Sequence, residues 1–189
     1  MIELILLSFV IAKIKNYKLL PIFKHWSIIP VIIMSVLYIY LEIAIWHGDY
    51  SLLKHSNIFR IAYFSSFLVL VAHYDLMKVF IYSMSLIWIG STLNTIAINA
   101  NLEKMPVFVS NSWATGFARP DMYNKALEYG DFHVIGDMYT KLIPLCDIWD
   151  FGMSIYSIGD FFILSYVFLI VYYSIKASNN KTHIIENNY

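Results

Sequence analysis

Val79–Ile98 reads VFIYSMSLIWIGSTLNTIAI, 20 residues without a single charge. A helix rises about 1.5 Å per residue and the hydrocarbon of a bilayer is about 30 Å thick, so roughly 20 apolar residues are what one crossing needs. The rest of the chain repeats the pattern. Trp26–Trp46 is apolar except for Ser27, Ser35 and Glu42, with a tryptophan at each end, where interfacial anchors sit, and Pro30 in the first turns, where a helix tolerates it. The stretch 157–176 holds only Asp160 before Lys176, and the shorter 58–73 carries Arg60 at one end, where a long side chain can snorkel. The segment 1–12 is apolar apart from Glu3 and Ser8. Glu3 precedes that run, and Lys13, Lys15, Lys18 and Lys24 follow it, the reverse of a signal peptide's charge order, so an uncleaved, short or tilted first helix is expected.

Composition agrees. Apolar residues make up 59% and charged residues 14%, with a mean hydropathy of +0.62; soluble domains average about 45–50% and about 25%. Thirteen basic and thirteen acidic residues leave no basic excess to suggest a nucleic-acid partner. One cysteine, Cys146, excludes an internal disulfide framework and a cysteine-built metal site. The expected fold is an all-α membrane protein. Four to five transmembrane helices (1–12, 26–46, 58–73, 79–98 and 157–176) form a bundle, with a compact outward-facing loop cap at 99–156 between the last two. Residues 177–189 form a cytoplasmic tail, frayed from Ser178. Lys13, Lys15, Lys18, Lys24, Lys78, Lys176 and Lys181 all fall on one side, which the positive-inside rule assigns to the cytoplasm of a cell membrane. Lys54 is the exception.

The long outer segment does not read as disordered, because disorder is poor in aromatics and this one contains Phe108, Trp113, Phe117, Tyr123, Tyr129, Phe132, Tyr139 and Trp149 among others. Pro106 marks the chain leaving the fourth helix. A short helix is predicted over 121–129, with Pro120 at its start and Gly130 at the position after its end. Pro144 breaks any helix through 141–145. Ser157 followed by Asp160 has the spacing of a capping box. Ser83, Gly90 and Ala97 recur every seven residues, a small-residue stripe that lets another helix approach closely.

Asn94-Thr95-Ile96-Ala97-Ile98-Asn99-Ala100-Asn101 followed by Met105-Pro106-Val107 resembles the end of the fourth helix in domain-of-unknown-function family 5317, a group of small bacterial multi-pass membrane proteins. His133, the stretch Thr140-Lys141-Leu142-Ile143-Pro144-Leu145-Cys146-Asp147 and Ser157-Ile158-Gly159-Asp160 are similar to its later blocks, in the same order. The resemblance implies the membrane architecture and no established activity. It also implies glycines where Leu102, Glu103 and Cys146 stand. This chain departs from the pattern at all three, which weakens the case for a tight turn at Leu102–Glu103 and for Cys146 as a nucleophile.

The candidate chemistry is sparse. His47, Asp49, His55, Asp131, His133, Asp137 and Asp147 are metal-ligand types without a fixed-spacing motif, and they read as loop caps; no metal and no cofactor is expected. Acid–base work could use His133 with Asp131 or Asp147, or Asp147 with Asp150. Arg119 could meet an anion or pair with Asp121. Polar groups near or within the spans are costly unless paired, so Asn94, Asn101, Met105, Pro106, His133, Asp147 and Asp160 are the candidate ligand- or partner-binding residues. The leading expectation is an integral membrane protein of uncharacterised function that binds a membrane or extracytoplasmic protein, a lipid or a small ligand at its outer face. Two alternatives stand beside it. One is a small oligomeric transporter or channel subunit, for which no inverted repeat speaks. The other is a membrane-embedded hydrolase or transferase using His133 with Asp131 or Asp147.

Overall fold

The computed structural model describes residues 2–119 and 122–186. In chain order its elements are α1 (Ile2–Ile14), α2 (Leu20–Phe23), α3 (Ile29–Trp46), α4 (Ser56–Ser66), α5 (Leu68–Tyr74), α6 (Met77–Ala100), β1 (Met105–Val107), α7 (Asn111–Ala114), α8 (Met122–Glu128), β2 (His133–Ile135), β3 (Trp149–Asp150), β4 (Ile155–Tyr156) and α9 (Ile158–Glu186). This is an all-α fold of membrane type. Among the described residues four stretches are long and apolar enough to cross a bilayer: Trp26–Trp46, Leu53–Tyr74, Met77–Ala100 and Ile158–Asn180. The 13 residues of α1 rise only about 20 Å, less than one crossing.

The chain forms two compact units. One comprises the chain up to Ile39, Ile58–Leu86 and the chain from Leu164; the other comprises Tyr40–Asn57 and Ile87–Ile163. In the first, Tyr63, Phe67, Leu70, Tyr166, Val167 and Ile170 are each at most 2% exposed. The rings of Tyr63 and Phe67 meet edge to face at 5.3 Å, those of Phe67 and Tyr166 at 5.9 Å. The α4–α5 span is interrupted at Phe67 because its carbonyls have other donors. The Tyr166 hydroxyl donates to Phe64 O at 3.1 Å and Ser66 Oγ to Tyr63 O at 2.6 Å. The Phe67 N–H therefore drops to a longer bond with Phe64 O, 3.4 Å. α5 then stops at Asp75, whose φ of 55° is left-handed, with Leu76 N donating back to Val71 O at 2.9 Å.

Two expected boundaries move. The second span starts at Leu53 and not at 58, because a 3-10 turn over Leu53–His55 already carries helical backbone hydrogen bonds through the polar Lys54 and His55. α9 continues to Glu186, so the chain does not fray from Ser178. Asn179, only 6% exposed, explains the extension. Its Nδ2 donates to Lys18 O at 2.9 Å and its Oδ1 accepts from Lys18 N at 2.8 Å, which ties α9 to the segment after α1.

In the second unit, the segment between α6 and α9 contains two pairs of short strands. β1 and β2 run parallel, with Met105 opposite His133 and Val107 opposite Ile135. β3 and β4 form an antiparallel pair. Strands of two or three residues are too short for an alternating pattern to reveal, and they were not expected. The predicted short helix is present as α8, followed by Gly130 at φ 88°; Pro120 and Asp121, at its predicted start, lie outside the described residues. Val107, Ala118 and Tyr123 form a small buried core beneath it.

Candidate functional site

The residues Ser157–Asp160 join α9 to α6. Asp160 N donates to Ser157 Oγ at 3.0 Å and Ser157 N to Asp160 Oδ2 at 2.9 Å, the reciprocal pair of a capping box. Both side chains then reach α6. Asn94 Nδ2 donates to Asp160 Oδ1 at 2.9 Å, and Ser157 Oγ donates to Asn94 Oδ1 at 2.8 Å. This ring requires close backbones, and glycines provide them. A methyl group on Gly159 would overlap Asn94 Oδ1 and Gly90 O, and one on Gly90 would overlap Gly159 O. Ser83, Gly90 and Ala97 are all buried along α6. Asn94 and Asp160, two of the candidate site residues, are therefore consumed in joining helices.

β1 lies between the next candidates. Met105, 2% exposed, donates its N–H to Phe132 O at 2.9 Å. On the other edge Asp147 N donates to Pro106 O at 3.1 Å and Phe108 N to Asp147 O at 2.8 Å. These ladders bring three titratable side chains into line. Asp131 Oδ1 meets His133 Nδ1 at 2.5 Å and also accepts from Phe132 N at 2.7 Å. On the far side of the ring, His133 Nε2 lies 3.7 Å from Asp147 Oδ2. Asp147 is only 4% exposed, and its Oδ1 has no hydrogen-bond partner among the described residues.

The electrostatics follow from this arrangement. Burial pushes the Asp147 carboxyl up to about 7; His133 opposes the rise, while Asp160 and Asp131 add to it. For His133, burial works against the imidazolium, but the Asp131 hydrogen bond and the charges of Asp131, Asp147 and Asp160 outweigh it, so its pKa lies above the usual histidine value. Burial would likewise raise Asp131, yet the bonds from His133 and Phe132 hold it below the ordinary carboxylate range. Tyr123 is raised by burial and by Asp147, Asp131 and Asp150. Each imidazole nitrogen faces a carboxylate. Nδ1 is engaged by Asp131, whereas Nε2, 3.7 Å from Asp147 on a ring that is about one-third exposed, is close to a carboxylate without a hydrogen bond to it.

Asn101 clamps two turns together. Its Nδ2 donates to Lys141 O at 2.9 Å and to Ala97 O at 2.8 Å, and its Oδ1 accepts from Lys141 N at 2.8 Å. The tight turn after it is present despite the missing glycines: Leu102 has φ 56° and Glu103 φ 61°. In the second turn Asp137 Oδ1 accepts from Tyr139 N at 2.9 Å and Thr140 Oγ1 from Asp137 N at 2.9 Å. The clamped turns present Leu102, Met138 and Tyr139, which are 90%, 87% and 82% exposed. Cys146, fully buried, has its thiol pKa raised by burial and then by Asp147, which is the opposite of a nucleophile's environment.

Other candidates separate. Asp150 does not pair with Asp147. It accepts from Ser110 N at 2.7 Å, Ser112 N at 2.8 Å and Gly152 N at 2.8 Å. Although burial opposes it, these bonds with the Ser112 hydroxyl lower its carboxyl to about 2. Arg119 meets the end of α3, donating to Trp46 O at 2.7 Å, Ile45 O at 3.3 Å and the Tyr50 hydroxyl at 3.0 Å. Asp121, its expected partner, is outside the described residues. Among the described residues no three His, Cys, Asp or Glu side chains are grouped to hold a metal ion. The sequence reading missed the roles of Gly159, Arg119 and Asp150. Only Gly159 left a signal, as a glycine within the first turn of an otherwise apolar helix.

No curated protein and no solved structure matches the chain. The sequence model of one family, described as a family of unknown function (DUF5317), matches residues 19–172. That match takes in α2 through the first half of α9, including the Asn94–Asp160 ring, the Asn101 clamp and the Asp131–His133–Asp147 line, and the chain belongs to the family of unknown function DUF5317.

Proposed function

We propose that this is a multi-pass protein of a bacterial cell membrane whose cap, residues 99–156, is a rigid docking platform for a partner protein at the outer face. The observation that carries the reading is the pair of clamped turns. Leu102, 90% exposed, is held in a left-handed conformation that costs a non-glycine residue about 1 kcal/mol or more. It stands beside the turn that presents Met138 and Tyr139. Exposed apolar side chains on ordered backbone lose little entropy on binding, which is the character of interface anchors. Asn101 holds the two turns in register. Met105, Pro106, His133 and Asp147 support them from beneath, and Asn94 with Asp160 fixes the helix ends below.

A photoreactive residue in place of Tyr139, in intact cells, is expected to give one discrete protein adduct. The adduct disappears when Leu102 is changed to Asp. Adducts to lipid alone, or a protein adduct indifferent to Leu102, would overturn the reading.

A hydrolase or transferase using His133 with Asp131 or Asp147 is the second reading, supported by the 2.5 Å contact between His133 and Asp131. It requires the buried face of Asp147 to open to substrate. A His133→Gln protein that still folds and retains every cellular activity would remove it.

A further inference from the structure

A second site is built from residues of the other compact unit. A groove of about 510 Å³ is lined by Trp26, Leu68, Val69, Ala72 and His73. It lies where the span Trp26–Trp46 begins and the span Leu53–Tyr74 ends. Its floor is apolar, and Trp26 and Leu68 are 63% and 44% exposed. One end is polar. The rings of His25 and His73 lie 4.1 Å apart, tilted at 42°, Tyr74 meets His73 edge-on at 4.6 Å, and the Trp26 ring is 6.2 Å from His73.

The chain around that end is basic. Lys24 immediately precedes His25, and Lys78 opens α6 two residues after the Asp75–Leu76 link; Lys24, His25 and Lys78 are all exposed. The acidic residue within this group is Asp75, also exposed. An apolar groove running along membrane-spanning helices, with cations collected at the ends of those helices, matches the two halves of one ligand: an acyl chain at hydrocarbon depth and a phosphate at the level of the headgroups.

We propose that this groove seats an acyl chain of an anionic phospholipid, whose phosphate is met by Lys24, His25 and Lys78. The site rests on the chain spanning a membrane and is independent of the docking surface on the cap, so either can fail alone. It is selective by charge, since a zwitterionic lipid offers the same tail without the net negative headgroup. Trp26 and His73, in edge contact with one another, line the tail's path, and Ala72 leaves the space it occupies.

Native mass spectrometry of the full chain, released from micelles with equal phosphatidylglycerol and phosphatidylcholine, tests this directly. Wild type is expected to retain one phosphatidylglycerol in marked preference to phosphatidylcholine. Removing a juxtamembrane lysine weakens attraction to anionic lipid by about fivefold, so the Lys24→Gln, Lys78→Gln pair is expected to abolish the preference while a lipid of either kind is still retained. Ala72→Trp fills the groove from an exposed position and is expected to lose the retained lipid altogether. An unchanged far-ultraviolet spectrum and a single elution peak establish that each variant is folded. Equal retention of the two lipids by wild type, or a preference that survives both sets of variants, would overturn the proposal.

Discussion

At the scale of single residues, one conformational cost and one electrostatic cost in the cap give measurable consequences. The first is Leu102, left-handed and 90% exposed. Glycine adopts that conformation freely, so Leu102→Gly is expected to stabilise the folded protein by about 1 kcal/mol, read as a raised thermal midpoint in detergent. The same change removes an anchor of the docking surface, so the Tyr139 cross-link weakens while stability rises. A loss of both would mean that Leu102 packs and does not dock. The second cost is Asp147. Its folded pKa is raised to about 7 from about 3.8 in an unfolded chain, so the stability linked to its proton is complete below pH ~4 and is lost as pH rises through 7. His133, also raised, loses stability in the same direction, above its ordinary value of about 6.5. Asp131, lowered, acts oppositely and only in acid. Wild type is therefore expected to melt at lower temperature at pH 8.5 than at pH 6, and Asp147→Asn to flatten that slope. Parallel slopes for the two proteins would refute the assignment.

Among elements, the contact of α6 with α9 is made by backbone as much as by side chains. Gly90 and Gly159 allow the approach, and the Ser157, Asp160 and Asn94 side chains close a hydrogen-bonded ring across it. Overpacking of a tight contact costs about 1–3 kcal/mol. Gly159→Ala is thus expected to lower the thermal midpoint well beyond Ser85→Ala, a control on an exposed face of α6 whose hydroxyl donates within its own helix, to Ile81 O at 3.2 Å. Equal midpoints for the two variants would show that the glycines are not in close contact. The break in the α4–α5 span illustrates the same competition. Phe67 is fully buried in a bend made by hydroxyl groups that take carbonyls from the ladder, and not by proline.

For the whole molecule, sidedness rests on lysines, and a labelling experiment decides it. A cysteine at Met138 is expected to react with a membrane-impermeant maleimide in intact cells, and a cysteine at Lys24 only after permeabilisation; the buried Cys146 adds no background. The opposite pattern would invert the orientation. That the chain has apolar helices around Trp26–Trp46 and in α6 was legible, because crossing a bilayer requires a length of apolar chain that composition displays directly. The capping box at Ser157 was equally legible, since its spacing is local. What could not be read is long-range: that Asn94 closes a ring with that box, that Asn101 clamps a turn forty residues away, that β1 lines up Asp131, His133 and Asp147, and that Asn179 holds α9 helical beyond Ser178. Apolar periodicity and capping are properties of neighbours along the chain and belong to the sequence. Hydrogen-bond partners, burial and the pKa of a carboxylate depend on which distant atoms exclude water from it, and only the tertiary structure decides those.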